Sequence, residues 1–206
     1  MKKFLALLTI SFAFGALAAC GSSTTTPSDM KHNDSASTWK WDGTLLSGLH
    51  HVVIATSKGD IELELDASLA PKTVTNFMSL GASGYYDNLT FHRVIPGFMI
   101  QGGDPNGTGT GGQSIFGEMF EDEIDTSKDA YKTGYKTGTI AMANRGPNTN
   151  GSQFFIMDQD YPLPPSYTIF GHVTKGQEVV NAIARVPRGS NDMPKEKVTF
   201  SVKIVD

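Results

Sequence analysis

Between Ile61 and Leu65 the chain alternates apolar and acidic residues without a break: Ile61, Leu63 and Leu65 on one side, Glu62 and Glu64 on the other. A period of two belongs to an extended strand, whose successive side chains point to opposite faces, and not to a helix. The apolar run from His51 to Thr56 precedes it across a turn at Lys58, Gly59 and Asp60, so the segment predicts a hairpin with one buried face. The chain closes the same way, with Val198, Phe200, Val202 and Ile204 separated by polar residues. Further strands are expected at 138–143, 153–157 and 168–173. Only two segments have helical spacing. Pro71 suits the first turn of one, with Val74, Phe77 and Met78 on its inner face and Gly81 or Gly84 ending it. The other covers 177–185, where Val179, Val180, Ile183 and Ala184 share a face. The 22 glycines imply frequent turns. Short strands, two isolated helices and many turns predict a mainly β barrel or sandwich.

The first residues do not belong to that pattern. Lys2 and Lys3 precede an apolar run from Phe4 to Phe14, too short for a comfortable membrane span, and small residues follow. Residues 1–19 therefore read as a secretory signal. The join Leu17, Ala18, Ala19, Cys20 and Gly21 resembles the lipobox of bacterial lipoproteins, in which the cysteine becomes the lipidated first residue. The other reading is ordinary cleavage after Ala18. Lipidation would place the protein outside the cytoplasm, anchored to the bacterial cell membrane through Cys20. Cys20 is the single cysteine, so no internal disulfide can form. Residues 20–44 are expected to be a lipidated cysteine and a polar tether, and 45–206 the folded domain. Trp39 and Trp41 have two readings, packing on the domain's flank or contact with headgroups or a partner. The formal charge is −4, falling by two to −6 without Lys2 and Lys3, and no basic face suggests nucleic acid.

The chemistry-bearing residues fall in two stretches. In residues 90–104, Arg93 lies among apolar residues, and a turn at Pro96 and Gly97 brings Phe98, Met99 and Gln101 back towards it. A guanidinium beside an apolar surface is expensive to desolvate unless something uses it. In residues 142–156 an amide-rich loop containing Asn144, Arg145 and Asn148 runs through Gln153 into Phe154, Phe155 and Ile156. Between them, 104–112 is rich in glycine but lacks the Gly-Lys-Ser/Thr ending of a phosphate loop, so it reads as a flexible loop beside a groove. Glu121, Asp122 and Glu123 match no cation-coordinating loop and read as a solvated face. His50, His51 and His92 show no zinc spacing, and no nucleophile elbow is present.

The two stretches together resemble the signature of cyclophilin-type peptidyl-prolyl isomerases, and the resemblance runs from about His50 to the C-terminus. It implies a closed eight-stranded antiparallel β-barrel capped by two α-helices, no cofactor and no metal, and binding of proline-containing peptides and unfolded clients by a monomer. By the resemblance Arg93, Phe98 and Gln101 are catalytic, while Met99, Gly109, Ala143, Asn144, Gln153, Phe155, Leu163 and Tyr167 bind substrate. The sequence departs from the family in two places. Pro162 stands where cyclosporin-binding members carry tryptophan, which implies weak cyclosporin binding, and Tyr167 stands where many have histidine. Arg145 replaces a small residue and bears on the residue preferred before proline. The lack of acid–base equipment suits prolyl isomerisation, in which no covalent bond is made or broken. The expected activity is isomerisation of X–Pro bonds in secreted or surface proteins. A second reading is a proline-peptide-binding chaperone or adhesin without turnover.

Overall fold

The computed structural model describes residues 41–205. The expected leader, Cys20, the tether up to residue 40 and Trp39 lie outside the described residues.

In chain order the elements are β1 (Leu49–Thr56), β2 (Gly59–Asp66), α1 (Pro71–Ala82), β3 (Leu89–Thr90), β4 (Arg93–Ile95) and β5 (Met99–Gly102). There follow α2 (Asp129–Thr133), β6 (Thr139–Met142), β7 (Phe154–Met157), β8 (Ile169–Lys175), α3 (Gln177–Ala184) and β9 (Thr199–Ile204). The alternating segment is the second arm of the expected hairpin: Ile54 pairs with Ile61 and Val52 with Leu63, and Ile61, Leu63 and Leu65 are all buried. The nine strands form one antiparallel sheet in the order β3-β9-β1-β2-β8-β6-β7-β5-β4. Nine strands appear where eight were expected because the segment 89–95 is divided. Leu89 and Thr90 pair with β9, whereas Arg93, Val94 and Ile95 pair with β5. At the change-over Phe91 N–H donates to Val198 C=O and His92 N–H to Gln101 C=O. One short segment thus joins both ends of the strand order and curls the sheet around its core.

That core is largely aromatic: Phe77, Tyr86, Phe91, Phe154, Phe170 and Phe200 are buried, with Phe91 and Phe200 centroids 4.7 Å apart and Phe77 and Phe154 5.3 Å apart. A second cluster of Met99, Tyr131, Tyr135, Ala141, Phe155, Met157 and Ile169 lies apart from it. Both expected helices are present, and α2 is a third that no periodicity announced, as its 5 residues are too few to show one. Of the two glycines, Gly84 (φ +75°) supplies the left-handed stop, with Tyr85 N–H donating to Leu80 C=O. Gly81 lies within α1, where a Cβ would come 2.9 Å from Val202 Cγ1, so the helix can approach β9 only as glycine.

Two expectations are corrected, and a third reading is decided. The acidic stretch is not simply a solvated face. Ala70 gives α1 no side-chain cap, and Glu123 supplies it instead, accepting from Lys72 N–H at 2.9 Å, Thr73 N–H at 2.8 Å and Thr73 Oγ1 at 2.8 Å. Asp122 accepts from Asn148 N–H at 2.9 Å and Asn150 Nδ2 at 2.8 Å. The glycine-rich loop after β5 is not free but gathered onto the buried Asp104 carboxylate. That carboxylate accepts N–H groups of Asn106, Thr108, Gly109 and Thr110 at 2.6–3.1 Å. Burial opposes its charge, yet the converging N–H groups hold it below the ordinary 3.8. Trp41 takes the flank-packing reading: its ring meets Phe116 edge-on at 5.4 Å and its indole N–H donates to Thr44 C=O at 2.9 Å.

Candidate active site

The β4–β5 hairpin carries the polar and apolar halves of the site on adjacent strands. Arg93 lies opposite Gln101, and Ile95 opposite Met99. The connecting turn at Pro96 and Gly97 is fixed from outside. Asp158, whose side chain is wholly buried, accepts Gly97 N–H at 2.7 Å with one oxygen and Arg185 Nη1 at 2.8 Å with the other. Asp158 N–H in turn donates to Phe98 C=O at 2.9 Å. Phe98, leaving this turn, stacks on Tyr161 with centroids 4.5 Å apart.

A cleft of about 180 Å³ opens between this hairpin, the residues after β6 and the loop before β8. Its lining is Arg93, Phe98, Met99, Gln101, Ala143, Asn144, Phe155, Leu163 and Tyr167. Nine of the eleven groove residues read from the sequence are therefore together. Gly109 and Gln153 line an adjoining cleft of about 60 Å³, which shares Gln101, Ala143 and Asn144 with the first and adds Glu118, Met119 and Arg145. Met99 (1% exposed) and Phe155 (5%) belong to the second core cluster, so the floor of the cleft is a face of packed protein. Tyr167 stands edge-on to Phe155 at 5.4 Å. Its backbone is clamped by the Tyr135 hydroxyl, which donates to Tyr167 C=O at 2.8 Å and accepts its N–H at 3.1 Å.

The polar side is a chain of contacts. Arg93 Nη1 is 3.5 Å from Gln101 Oε1, Gln101 Nε2 donates to Gln153 Oε1 at 3.0 Å, and Gln153 Nε2 donates to Gly111 C=O at 2.9 Å. Arg93 remains 42% exposed, so part of its guanidinium faces the open cleft. The Asn144 side chain is spent inside the protein, donating to Ser166 C=O at 2.8 Å and tying the two loops together. Among the described residues its own backbone N–H and C=O have no hydrogen-bond partner. Behind Arg93 lies His92, buried, with neither ring nitrogen hydrogen-bonded among the described residues. Burial lowers its pKa from 6.5, Asp104 opposes this and Arg93 reinforces it, so His92 is a neutral packing residue here.

Sequence reasoning missed Asp158, Arg185, Asp192 and Arg188. Asp158 directly follows the apolar strand β7, where a buried carboxylate needs a partner, so that position was a signal. Asp192 sits in a surface turn, and no spacing links it to the hairpin it meets.

The family described as cyclophilin type peptidyl-prolyl cis-trans isomerase/CLD matches residues 51–204. Peptidyl-prolyl cis-trans isomerase-like 1 of Gibberella zeae is 52% identical over 149 residues, which is 72% of this chain and 90% of that protein. Peptidyl-prolyl cis-trans isomerase CYP18-2 of Arabidopsis thaliana is 45% identical over 157 residues, 75% of this chain and 93% of that protein. The crystal structure of a Cryptosporidium parvum cyclophilin type peptidyl-prolyl cis-trans isomerase superposes with a TM-score of 0.72 at 42% identity, covering 77% of this chain and 98% of that one. A second crystal structure of that protein, in the presence of the dipeptide Ala-Pro, gives a TM-score of 0.70 over 76% of this chain and 99% of that one. The family match over residues 51–204, the two relatives at about half identity and the superposed crystal structures together show that the chain belongs to the cyclophilin family and is a peptidyl-prolyl cis-trans isomerase.

Proposed function

We propose that Arg93 is the donor that accelerates isomerisation and that the protein acts on secreted or surface proteins from a lipid anchor at Cys20. Amide resonance opposes rotation about an X–Pro bond with a barrier of ~18–20 kcal/mol. As the amide twists, the prolyl nitrogen pyramidalises and gains a lone pair that can accept a hydrogen bond. A guanidinium aimed at that nitrogen favours the twisted state and hardly touches either planar isomer, which is the condition for catalysis. A hydrogen bond to a charged donor is worth about 1.5–3 kcal/mol. Realised only in the twisted state, it gives roughly 10- to 150-fold in rate.

Phe98, Met99, Phe155 and Leu163 supply the proline slot, with Tyr167 at its rim. Gln101 and Gln153 keep Arg93 turned to the slot, and the Asn144 backbone holds the flanking chain while the X–Pro carbonyl swings. Gly109 and Ala143 leave room for that chain. Arg145, beside the adjoining cleft, bears on the residue preferred before proline. Pro162 is exposed and carries no indole, so cyclosporin binds weakly.

The single observation behind the mechanism is the convergence of Arg93, Gln101 and the apolar floor on one cleft. Its test is refolding of a secreted protein limited by an X–Pro bond. Wild-type protein accelerates the slow phase and Arg93→Ala does not, whereas equal acceleration by both refutes the role of Arg93. The location rests on residues 1–21 alone. When the full chain is expressed in bacteria with labelled palmitate, label and membrane fractionation depend on Cys20. Unchanged fractionation of Cys20→Ser refutes the anchor.

A further inference from the structure

Arg93 is held from two sides, and the second side comes from a loop remote in sequence. Its Nη1 faces Gln101, while its Nε lies 3.9 Å from Asp192 Oδ2. The other Asp192 oxygen lies 3.3 Å from Arg188 Nε. The loop between α3 and β9 is built to present that carboxylate. Gly189 N–H donates to Met193 C=O at 2.8 Å, Lys195 N–H to Pro187 C=O at 2.8 Å, and Arg188 bridges Pro194. At its tip Asn191 (φ 59°) and Asp192 (φ 57°) are both left-handed, a conformation that Asn and Asp adopt more readily than other non-glycine residues and that turns the Asp192 carboxylate back towards the β4–β5 hairpin. A half-exposed ion pair contributes little to stability, so a stabilising role does not account for a carboxylate brought to Arg93 from so far along the chain.

The geometry points to Asp192 as a positioning residue for isomerisation, acting through Arg93. A guanidinium on a long side chain samples many rotamers, and a donor aimed at one nitrogen must be kept from them. Gln101 Oε1 stands 3.5 Å from one edge of the guanidinium and the Asp192 carboxylate lies at ion-pair distance from the Nε edge, which leaves the remaining N–H groups for the cleft. Arg188 keeps the carboxylate in place and, as a second cation, lets the cluster of Arg93, Asp192 and Arg188 retain a net positive charge. Asp192 therefore orients Arg93 without cancelling the field that the twisted amide needs.

The inference rests on the assignment of Arg93 as donor, and its test separates the two. Asp192→Asn keeps the shape and the tolerance of left-handed backbone and removes only the charge. With the full chain and an Ala-Pro peptide, exchange NMR gives the on-enzyme interconversion rate and the Kd separately. We expect a rate roughly threefold or more lower, a Kd within twofold, faster solvent exchange of the Arg93 Nε–H, and recovery in Asp192→Glu. Arg188→Ala, which loosens the same carboxylate without touching the tip, shifts both readouts in the same direction. A rate in Asp192→Asn equal to or above wild type overturns the inference, and so does a slower rate with an unchanged Nε–H. If Arg93→Ala is slow in the same experiment, only the role of Asp192 falls. If Arg93→Ala is also as fast as wild type, the donor assignment falls with it.

Discussion

Replacing Arg185 by alanine tests whether the cleft is held in shape by the buried carboxylate behind its hairpin. Asp158 is wholly buried and has one oxygen on Gly97 N–H and the other on Arg185 Nη1, at 2.7 and 2.8 Å. Losing one partner of a buried polar group costs about 1–3 kcal/mol, and more for a charged one. Two features bring the figure down: Arg185 is 46% exposed, so water can replace part of its contact, and Gly97 N–H remains. We expect a loss of about 1–2 kcal/mol, or roughly 2–8 °C in Tm for a domain of this size. Urea unfolding followed by circular dichroism measures it. Asp158→Ala costs more, because Gly97 N–H is orphaned too, and the double variant costs no more than Asp158→Ala alone. The same loosening reaches Phe98 through the turn, so KM for a prolyl peptide rises in Arg185→Ala. A loss below about 0.5 kcal/mol, the range of ordinary surface substitutions, refutes this account, as does strict additivity in the double variant.

Glu123→Ala uncaps α1 from a distance and, at about 1–2 kcal/mol, costs as much as losing a local cap, which thermal melting detects. The buried, neutral His92 sets an acid limit. Its folded pKa lies below 6.5, so the unfolded chain binds a proton that the folded chain refuses. Stability is therefore full above that value and falls as pH drops below it, before Asp104, held below 3.8, begins to lose its own contribution. Urea midpoints between about pH 7.5 and pH 5 should decline more steeply in wild type than in His92→Gln.

The parts of this fold that were legible in the sequence are those that short-range periodicity encodes. Ile61, Leu63 and Leu65 announced β2, and Val74, Phe77 and Met78 announced α1, because each pattern is a local consequence of burying one face. The groove residues were legible by resemblance, and the cleft does bring Arg93, Phe98, Gln101, Phe155 and Tyr167 together. What escaped was long-range polar pairing. Glu123 looked solvated because the helix N–H groups it caps are 50 and 51 residues away. Asp104 looked like part of a free loop because its partners are backbone N–H groups, which carry no sequence signature. The split of the 89–95 segment escaped for a related reason: no pattern within the segment marks where it leaves β9 for β5.

The most direct test of the central claim is the on-enzyme interconversion rate of a bound Ala-Pro peptide, measured by exchange NMR for wild type and Arg93→Ala. If the guanidinium acts on the twisted amide, the rate falls by roughly 10- to 150-fold. Peptide affinity meanwhile changes only a few-fold, since the planar isomers gain little from the same donor. An unchanged rate, or a fall in affinity that accounts for the whole effect, contradicts it.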